Sequence, residues 1–518
     1  MKTQPLSLLA QAEQLARKFD LSPEDVRRVT KHFLRQMKDG LAQQRAWQLP
    51  SYVRRVPTGR EKGKFFAVDL GGSNCRICLV SLHGDSTFTV MQSKHSVPPG
   101  VMVNPSYRPL FDFIADRIAD FLVTQLGVCC SKGLNRTNQQ PYQLGITFSF
   151  TCEQTSLASG RLIHWDKGWD IPDAVGQDPC RMLQEAIDCL GIPVVVTVLA
   201  NDSVGTLLTR SYISGPTAST LAAVIFGTGT NAAYVEKLSN VRRLRGETQP
   251  DEIMVINTEW GCFDDQMEVL PRTSFDDELD ETSADPGTQM LEKRVSGLYL
   301  GELLRLTILE LKRDNAFAMT CNHASAVFHR DGIDSSFLSE LAKAGSDNAG
   351  NTIQLIQDTL SAENVSEDDA RAIQLVANAI ARRAARLAGA SLAAIIIQSG
   401  RLEIPADEAP DREYSINHLE RVKSSGILLW HRLLRLAGMG SAVEKPQGQK
   451  PPPSSKREST IDIGADGSLI EYYPSFEAEM RGALRDVPEI GLAGEQRVQI
   501  SMAKDGSGVG AALMAQAA

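Results

Sequence analysis

Residues 195–205 read VVTVLANDSVG, a β-branched run that stops abruptly at Asn201-Asp202-Ser203. Such a run is expected to form a buried strand. In an open α/β sheet, ligands sit outside the carboxyl ends of the strands. A carboxylate at this strand's mouth, followed by small residues and a glycine, therefore stands where a reacting group would be held. Asp202 is the candidate general base. The alternative is that Asn201-Asp202 only turns the chain or caps a helix beginning near Val204.

Upstream, residues 65–72 (FFAVDLGG) predict an apolar strand ending in Asp69 and a glycine turn. Residues 76–82 and 86–91 predict returning strands, which makes a β-meander. A helix over 110–126, a strand over 142–150 and a helix over 179–189 complete one α/β unit. Downstream the theme recurs: a strand over 221–226, the turn Gly227-Thr228-Gly229-Thr230, and a returning strand over 232–235. Two copies predict a duplicated α/β architecture with a cleft between halves.

The flanks are helical. Two helices are expected within 6–48, the second entered at Ser22-Pro23-Glu24-Asp25, and others over 289–312 and 351–360. A long helix opens at Ser366-Glu367-Asp368-Asp369 and runs through Ala394; small residues crowd its end, from Ala384 to Ala390, which suits close helix packing. Residues 439–460 are rich in Pro, Ser and Lys without apolar periodicity, and read as a disordered surface insertion whose lysines faintly resemble a nuclear-import patch.

With 518 residues the chain exceeds one ordinary core. A net charge of -9, from 54 basic and 63 acidic residues, argues against nucleic acid as the main ligand. The nine cysteines are scattered, and Cys75-Arg76-Ile77-Cys78 falls within an expected strand, so redox chemistry is not expected. No stretch approaches the roughly 20 apolar residues of a membrane span, and the N-terminus has no signal-peptide core. The chain reads as cytoplasmic. Its opening segment, 6–19, gathers Leu8, Leu9, Ala12, Leu15, Ala16 and Phe19 on one helical face, expected to pack on the body. Anchoring to an organelle such as the mitochondrial surface is the alternative.

Glycine turns that aim backbone N–H groups at phosphate are the physical core of nucleotide sites. Four candidates occur: Asp69-Leu70-Gly71-Gly72-Ser73-Asn74, Gly227-Thr228-Gly229-Thr230-Asn231, Gly464-Ala465-Asp466-Gly467-Ser468, and Asp505-Gly506-Ser507-Gly508. Residues 227–232 fit a dinucleotide fingerprint, but a strand is expected to follow rather than a helix. Residues 59–64 are one residue short of a P-loop.

Together these stretches resemble the eukaryotic hexokinase family. Residues 70–76 (LGGSNCR) are similar to its first phosphate motif, 200–206 (ANDSVGT) to its catalytic motif, and 227–231 (GTGTN) to its second phosphate motif. Residues 256–261 (INTEWG) are similar to its sugar motif, 286–302 to another family segment, and 464–476 to its adenosine motif. The resemblance runs from about residue 10 to the C-terminus. It implies an α/β, actin-like ATPase (ribonuclease H-like) fold with two lobes around a central cleft. Residues 61–200 would form the small lobe and 201–518 the large one, with the helices of 1–60 packed on the latter. It further implies ATP-dependent phosphorylation of glucose, mannose or fructose at the 6-hydroxyl, feeding glycolysis. Ser149, Asp166, Lys167, Asn201, Asp202, Asn231, Glu259 and Glu292 would meet the sugar. Asp69, Gly71, Gly72, Ser73, Asn74, Arg76, Thr228, Gly229, Gly467, Ser468 and Ser507 would meet ATP. Asp202 and Lys167 would be catalytic. Magnesium would arrive on ATP without direct protein ligands, with Asp69 reaching it through water.

Four positions depart from the family pattern, of which Ser73 for threonine is a mild change. Asp166 replaces threonine before Lys167; at about 6 Å and an effective dielectric near 20, each repulsion from a neighbouring carboxylate would be roughly 3 kcal/mol. Thr151 replaces proline after Phe150, which is expected to loosen the loop carrying Ser149. Lys504 stands where an acidic residue is usual. Two readings follow: an ATP:hexose 6-phosphotransferase, or a catalytically impaired regulator that senses sugar or nucleotide and acts through a protein partner. Oligomeric state is not legible.

Overall fold

The computed structural model describes residues 6–72, 74–127, 140–165, 168–217, 219–244, 249, 251–313, 317–345, 349–402 and 460–518. Ser73, Asp166, Lys167 and the expected insertion up to residue 459 lie outside the described residues. The chain divides into one unit of Met1–Gly400 with Thr460–Ala518 and a second, Arg401–Ser459. Both large sheets belong to the first.

One strand order is used twice. Strands β1 (Lys62–Gly71), β2 (Asn74–His83), β3 (Phe88–Ser96), β4 (Tyr142–Phe148) and β5 (Val194–Ala200) form a sheet in the order β3-β2-β1-β4-β5. The first three make an antiparallel meander, and β4 and β5 join in parallel. Strands β6 (Thr220–Phe226), β7 (Thr230–Lys237), β8 (Ile253–Asn257), β9 (Ile461–Asp466) and β10 (Val498–Met502) repeat this as β8-β7-β6-β9-β10, with the same directions. The short strand Leu49–Pro50 extends the second sheet beside β8. The duplication expected from the two glycine turns is present.

Around the sheets pack α1 (Leu8–Arg17), α2 (Pro23–Ala42), α3 (Arg108–Leu126), α4 (Pro179–Leu190), α5 (Asp202–Ser214), α6 (Gly297–Arg313), α7 (Glu367–Ser399) and α8 (Gly506–Ala517). A strand covered on both faces carries an unbroken apolar run, and β1 is such a strand. Phe66, Val68 and Leu70 enter one core with Ile114 and Ile118 of α3. Ala67, between them in sequence, enters another with Val198, Val204 and Val509. By contrast β5 is an edge strand and Val195 is 40% exposed, so that run is only partly buried; its β-branching reflects strand propensity as well as burial.

The halves meet where α5 crosses α8. α8 lies on β1, β4 and β5, and α5 lies on β6, β7 and β9. Each sheet admits its helix at a glycine in its fourth strand. A Cβ on Gly145 of β4 would fall 2.4 Å from the Ala511 carbonyl oxygen of α8; one on Gly464 of β9 would fall 2.8 Å from Cβ of Arg210 in α5. At the crossing, a Cβ on Gly510 would lie 2.1 Å from Cα of Gly205, so the backbones touch directly. The Thr209 hydroxyl donates to the Gly506 carbonyl across it, at 3.1 Å.

Elsewhere one expectation fails. The helix read over 289–312 is broken into Glu292–Val295 and α6, with Ser296 extended between them. The reason is tertiary: the N–H groups of Gly297 and Leu298 donate to the Gly227 and Thr228 carbonyls, at 2.8 and 3.1 Å. The capping box at Ser366-Asp369 is formed, and a Cβ on Gly389 would meet the Met480 carbonyl at 2.4 Å, so the small residues of α7 do serve close helix packing. α1 buries Leu8, Ala12, Leu15 and Ala16 and packs on α7. Among the described residues no helix is long and apolar enough to cross a membrane.

Because the α5–α8 contact has no room for a methyl group, Gly510→Ala is expected to destabilise the fold by about 1–3 kcal/mol, the usual range for overpacking. Thermal or urea denaturation of the variant beside wild type measures this; an unchanged transition would show that the crossing can open at no cost.

Candidate active site

Asn201 ends the edge strand and caps α5. Its side-chain oxygen accepts from the Ser203 N–H at 2.9 Å and the Ser203 hydroxyl at 2.6 Å, as an N-cap should. Asp202 is the first residue of α5, so the turn-or-cap reading holds for Asn201, while Asp202 sits at the positive end of the helix.

From Asn201 a chain of amides and carboxylates crosses the second sheet. Asn231 Nδ2 lies 3.4 Å from Asn201 Oδ1 and donates to Asn257 Oδ1 at 2.9 Å. Asn257 Nδ2 donates to Glu259 Oε1 at 2.8 Å. Glu259 itself has a left-handed backbone (φ 46°), uncommon for a non-glycine residue and a feature of functional loops. Glu292 accepts the Thr230 N–H at 2.9 Å, which ties it to the same strand. Groups that both donate and accept, beside carboxylates, are what a polyol needs. Asn257 was not singled out from sequence, although it lies within the quoted stretch 256–261; its neighbours Asn231 and Glu259 are the signal.

Ser149 follows β4. Its N–H donates to the Leu70 carbonyl at 3.1 Å, and a Cβ on Gly71 would lie 3.1 Å from its hydroxyl oxygen, so it abuts the first glycine turn. Beyond it, Phe148, Phe150, Trp165 and Trp169 pack together, the two indoles stacked 5.5 Å apart. Trp169 Nε1 donates to the Gly72 carbonyl at 2.6 Å, joining this loop to the phosphate turn. Phe150, just before Thr151, is buried, and the Thr151 carbonyl accepts the Ile163 N–H at 2.9 Å.

On the other side stand Asp69, at the end of β1, and Arg76, in β2, which pair with each other. Burial pushes the Asp69 carboxyl above its usual range, Arg76 opposes this, and the charge of Asp202 adds to it; Ser507, in the first turn of α8, donates to it. Burial likewise raises Asp466, opposed by the Gly467 N–H and reinforced by Asp202 and Asp505. Asp466 and Asp505 were not picked out as site residues from sequence, though both lie in the glycine turns quoted. Gly467 (φ 107°) is needed where it is, since a Cβ would fall 2.3 Å from the Phe226 backbone. That seats the 464–468 turn, with Ser468 next in chain, on the Gly227-Thr228-Gly229 turn, where a Cβ on Gly229 would meet Glu292 Oε2 at 3.0 Å. Asn74 opens β2 opposite Gly71. Lys504 is engaged by Glu471 at 2.5 Å.

Among the described residues no cluster of three or more acidic, histidine or cysteine side chains is placed to hold a metal ion by itself, which agrees with the expectation that any magnesium would arrive on a ligand. Cys75 and Cys78 lie in β2, and burial pushes both thiols up to about 12, which leaves them inert.

The fold and these turns define a phosphotransferase of the actin-like ATPase class. Family models described as hexokinase match residues 11–212 and 221–517. A glucokinase of Aspergillus niger is 39% identical, covering 98% of this chain and 97% of its own, and glucokinase-1 of Saccharomyces cerevisiae is 32% identical over the same shares. A solved Schistosoma mansoni hexokinase in complex with glucose superposes with a TM-score of 0.76 at 29% identity, covering 99% of both chains. The chain belongs to the hexokinase family and is of the fungal type.

If the amide chain orders the site, Asn257→Leu, which leaves the Asn231 amide and Glu259 without their shared partner, should weaken hexose binding about tenfold. A titration of intrinsic tryptophan fluorescence with glucose reads the change; unaltered affinity would remove Asn257 from the site.

Proposed function

We propose that the protein transfers the γ-phosphoryl group of magnesium–ATP to the 6-hydroxyl of a hexose, glucose foremost given its glucokinase relatives. The observation that carries this reading is the position of Asp202. It begins α5 next to the amide–carboxylate chain, and its charge acts on Asp69 and Asp466 of the phosphate side. Sugar and nucleotide groups thus converge on one carboxylate.

In the reaction Asp202 takes the proton from the 6-hydroxyl as the oxygen attacks the γ-phosphorus, the bond to the β–γ bridging oxygen breaks, and ADP leaves. Asn201, Asn231, Glu259, Glu292 and Ser149 orient the sugar. Arg76 holds Asp69, which would reach the magnesium carried by ATP through water, while Ser507, Thr228, Gly229, Gly467 and Ser468 would frame the nucleotide. Magnesium supplies charge neutralisation on the phosphates. Lys167, outside the described residues, is assigned the developing charge on the transferred group. Residues 61–200 and 201–518 are read as the lobes that close over both substrates, with the one amendment that α8 packs on the first sheet.

The regulatory reading lacks comparable support. Of its three supports, Asp166 and the lysine-rich stretch up to residue 459 lie outside the described residues, and Thr151 is joined to Ile163 by a backbone hydrogen bond.

Asp202→Ala should lower turnover at least about a hundredfold while glucose still binds, since removing a base lowers rate first. A coupled assay with glucose, mannose and fructose, beside a glucose titration of the variant, tests both halves; undiminished turnover would end the assignment.

A further inference from the structure

Glu259 and Glu292 lie on separate segments, and something must fix one relative to the other. The segments are clamped at three points. The Leu291 N–H donates to the Gly261 carbonyl at 3.1 Å. Gly261 has no space beside it: a Cβ would fall 2.3 Å from Gln289 Oε1 and 3.3 Å from Cβ of Glu292. The third point is a side chain, Asp265, whose Oδ1 accepts the Met290 N–H at 2.9 Å and whose carboxylate also takes the backbone N–H of Gln289. Gln289 is in the left-handed region (φ 56°), and its carbonyl accepts the Lys293 N–H at 2.9 Å, which closes the turn carrying Glu292. Two consecutive N–H groups gathered by one carboxylate hold such a turn.

We infer that Asp265 is a positioning residue for hexose binding: by gripping the 289–290 backbone it sets Glu292 against the Thr230 N–H and alongside Glu259. The inference rests on reading Glu259 and Glu292 as sugar-binding residues. Asp265 is itself outside the set that the family resemblance assigns to the sugar.

The grip is sensitive to protonation. A carboxylate offers acceptors on both oxygens, whereas the acid turns one of them into a donor and leaves the two N–H groups to compete. Burial pushes Asp265 up to about 6; the Met290 and Gln289 N–H groups and Lys293 oppose this, and Asp264 adds to it. Lys293 is itself paired with Asp280, and Asp264 faces His32 and accepts the backbone N–H groups of residues 268–270. Burial raises the Cys262 thiol well above its usual range, and the charges of Asp265, Glu259 and Glu292 all add to this. Since the shift is upward, protonation falls between about pH 7 and pH 5, and hexose affinity drops across that window.

The test is hexose KM and kcat from pH 5 to 8 for the full chain, with glucose affinity from tryptophan fluorescence, for wild type, Asp265→Asn and Asp265→Ala. Asn is the isosteric mimic of the protonated acid. Its KM at pH 7.5 should match that of wild type at pH 5, several-fold raised, and should stay flat with pH. Ala should raise KM about tenfold or more throughout, with kcat changed less than threefold. A wild-type KM that does not change with pH, or an Asn variant that keeps the wild-type KM profile, would overturn the assignment; so would variants that lower kcat alone. If wild type neither binds nor phosphorylates hexose, the reading of Glu259 and Glu292 fails first and Asp265 loses its role with it. Should Ala fail to fold, the Asn variant alone decides.

Discussion

The contact of α5 with α8 is the constraint on which the remainder depends. Each helix follows the fifth strand of one sheet and packs on the other sheet, beside a glycine in that sheet's fourth strand, and the two touch backbone to backbone at Gly205 and Gly510. With no side chains between them, the helices fix the spacing of the halves to the van der Waals limit. Asp202 opens one helix and Gly506-Ser507 the other, so the same crossing sets the reacting carboxylate near Asp69.

What that spacing produces is a local excess of negative charge. The charge of Asp202 pushes up both Asp69 and Asp466, Asp505 adds to the second, and Arg76 opposes both shifts. Like charges brought together raise each other's pKa unless a counter-ion arrives. On the function proposed above, a ligand that brings its own divalent cation would relieve this charge, and the flanking glycine turns would offer its phosphates backbone donors. The proposed sugar side is built by a different principle. There the polar groups satisfy each other in a chain from Asn201 to Glu259, which would hold them in place for exchange with hydroxyls.

Departures from a family pattern are judged by what surrounds them. Proline after Phe150 would restrict the backbone there, whereas in this chain the neighbouring Phe150 is anchored by side-chain burial, edge-on against the stacked indoles of Trp165 and Trp169. Lys504 introduces a positive charge, and Glu471 takes it up at the surface, where such a pair is worth little either way.

The sequence alone determined the elements with strong local signals: the doubled strand–glycine–strand pattern, the capping box that starts α7, the cap at Asn201, and the glycine turns with their acidic neighbours. These are local because hydrogen bonds to near neighbours and backbone sterics set them. It could not show that β5 is an edge strand, that the helix expected over 289–312 breaks at Ser296, or that Asn257 and Asp265 belong to the site. Each of those depends on a partner far along the chain: the carbonyls of Gly227 and Thr228 claim the N–H groups of α6, Asn231 claims Asn257, and the 289–290 backbone claims Asp265. Only the tertiary structure brings such groups to within 3 Å, and a buried hydrogen bond once available outweighs the local preference that the sequence displays.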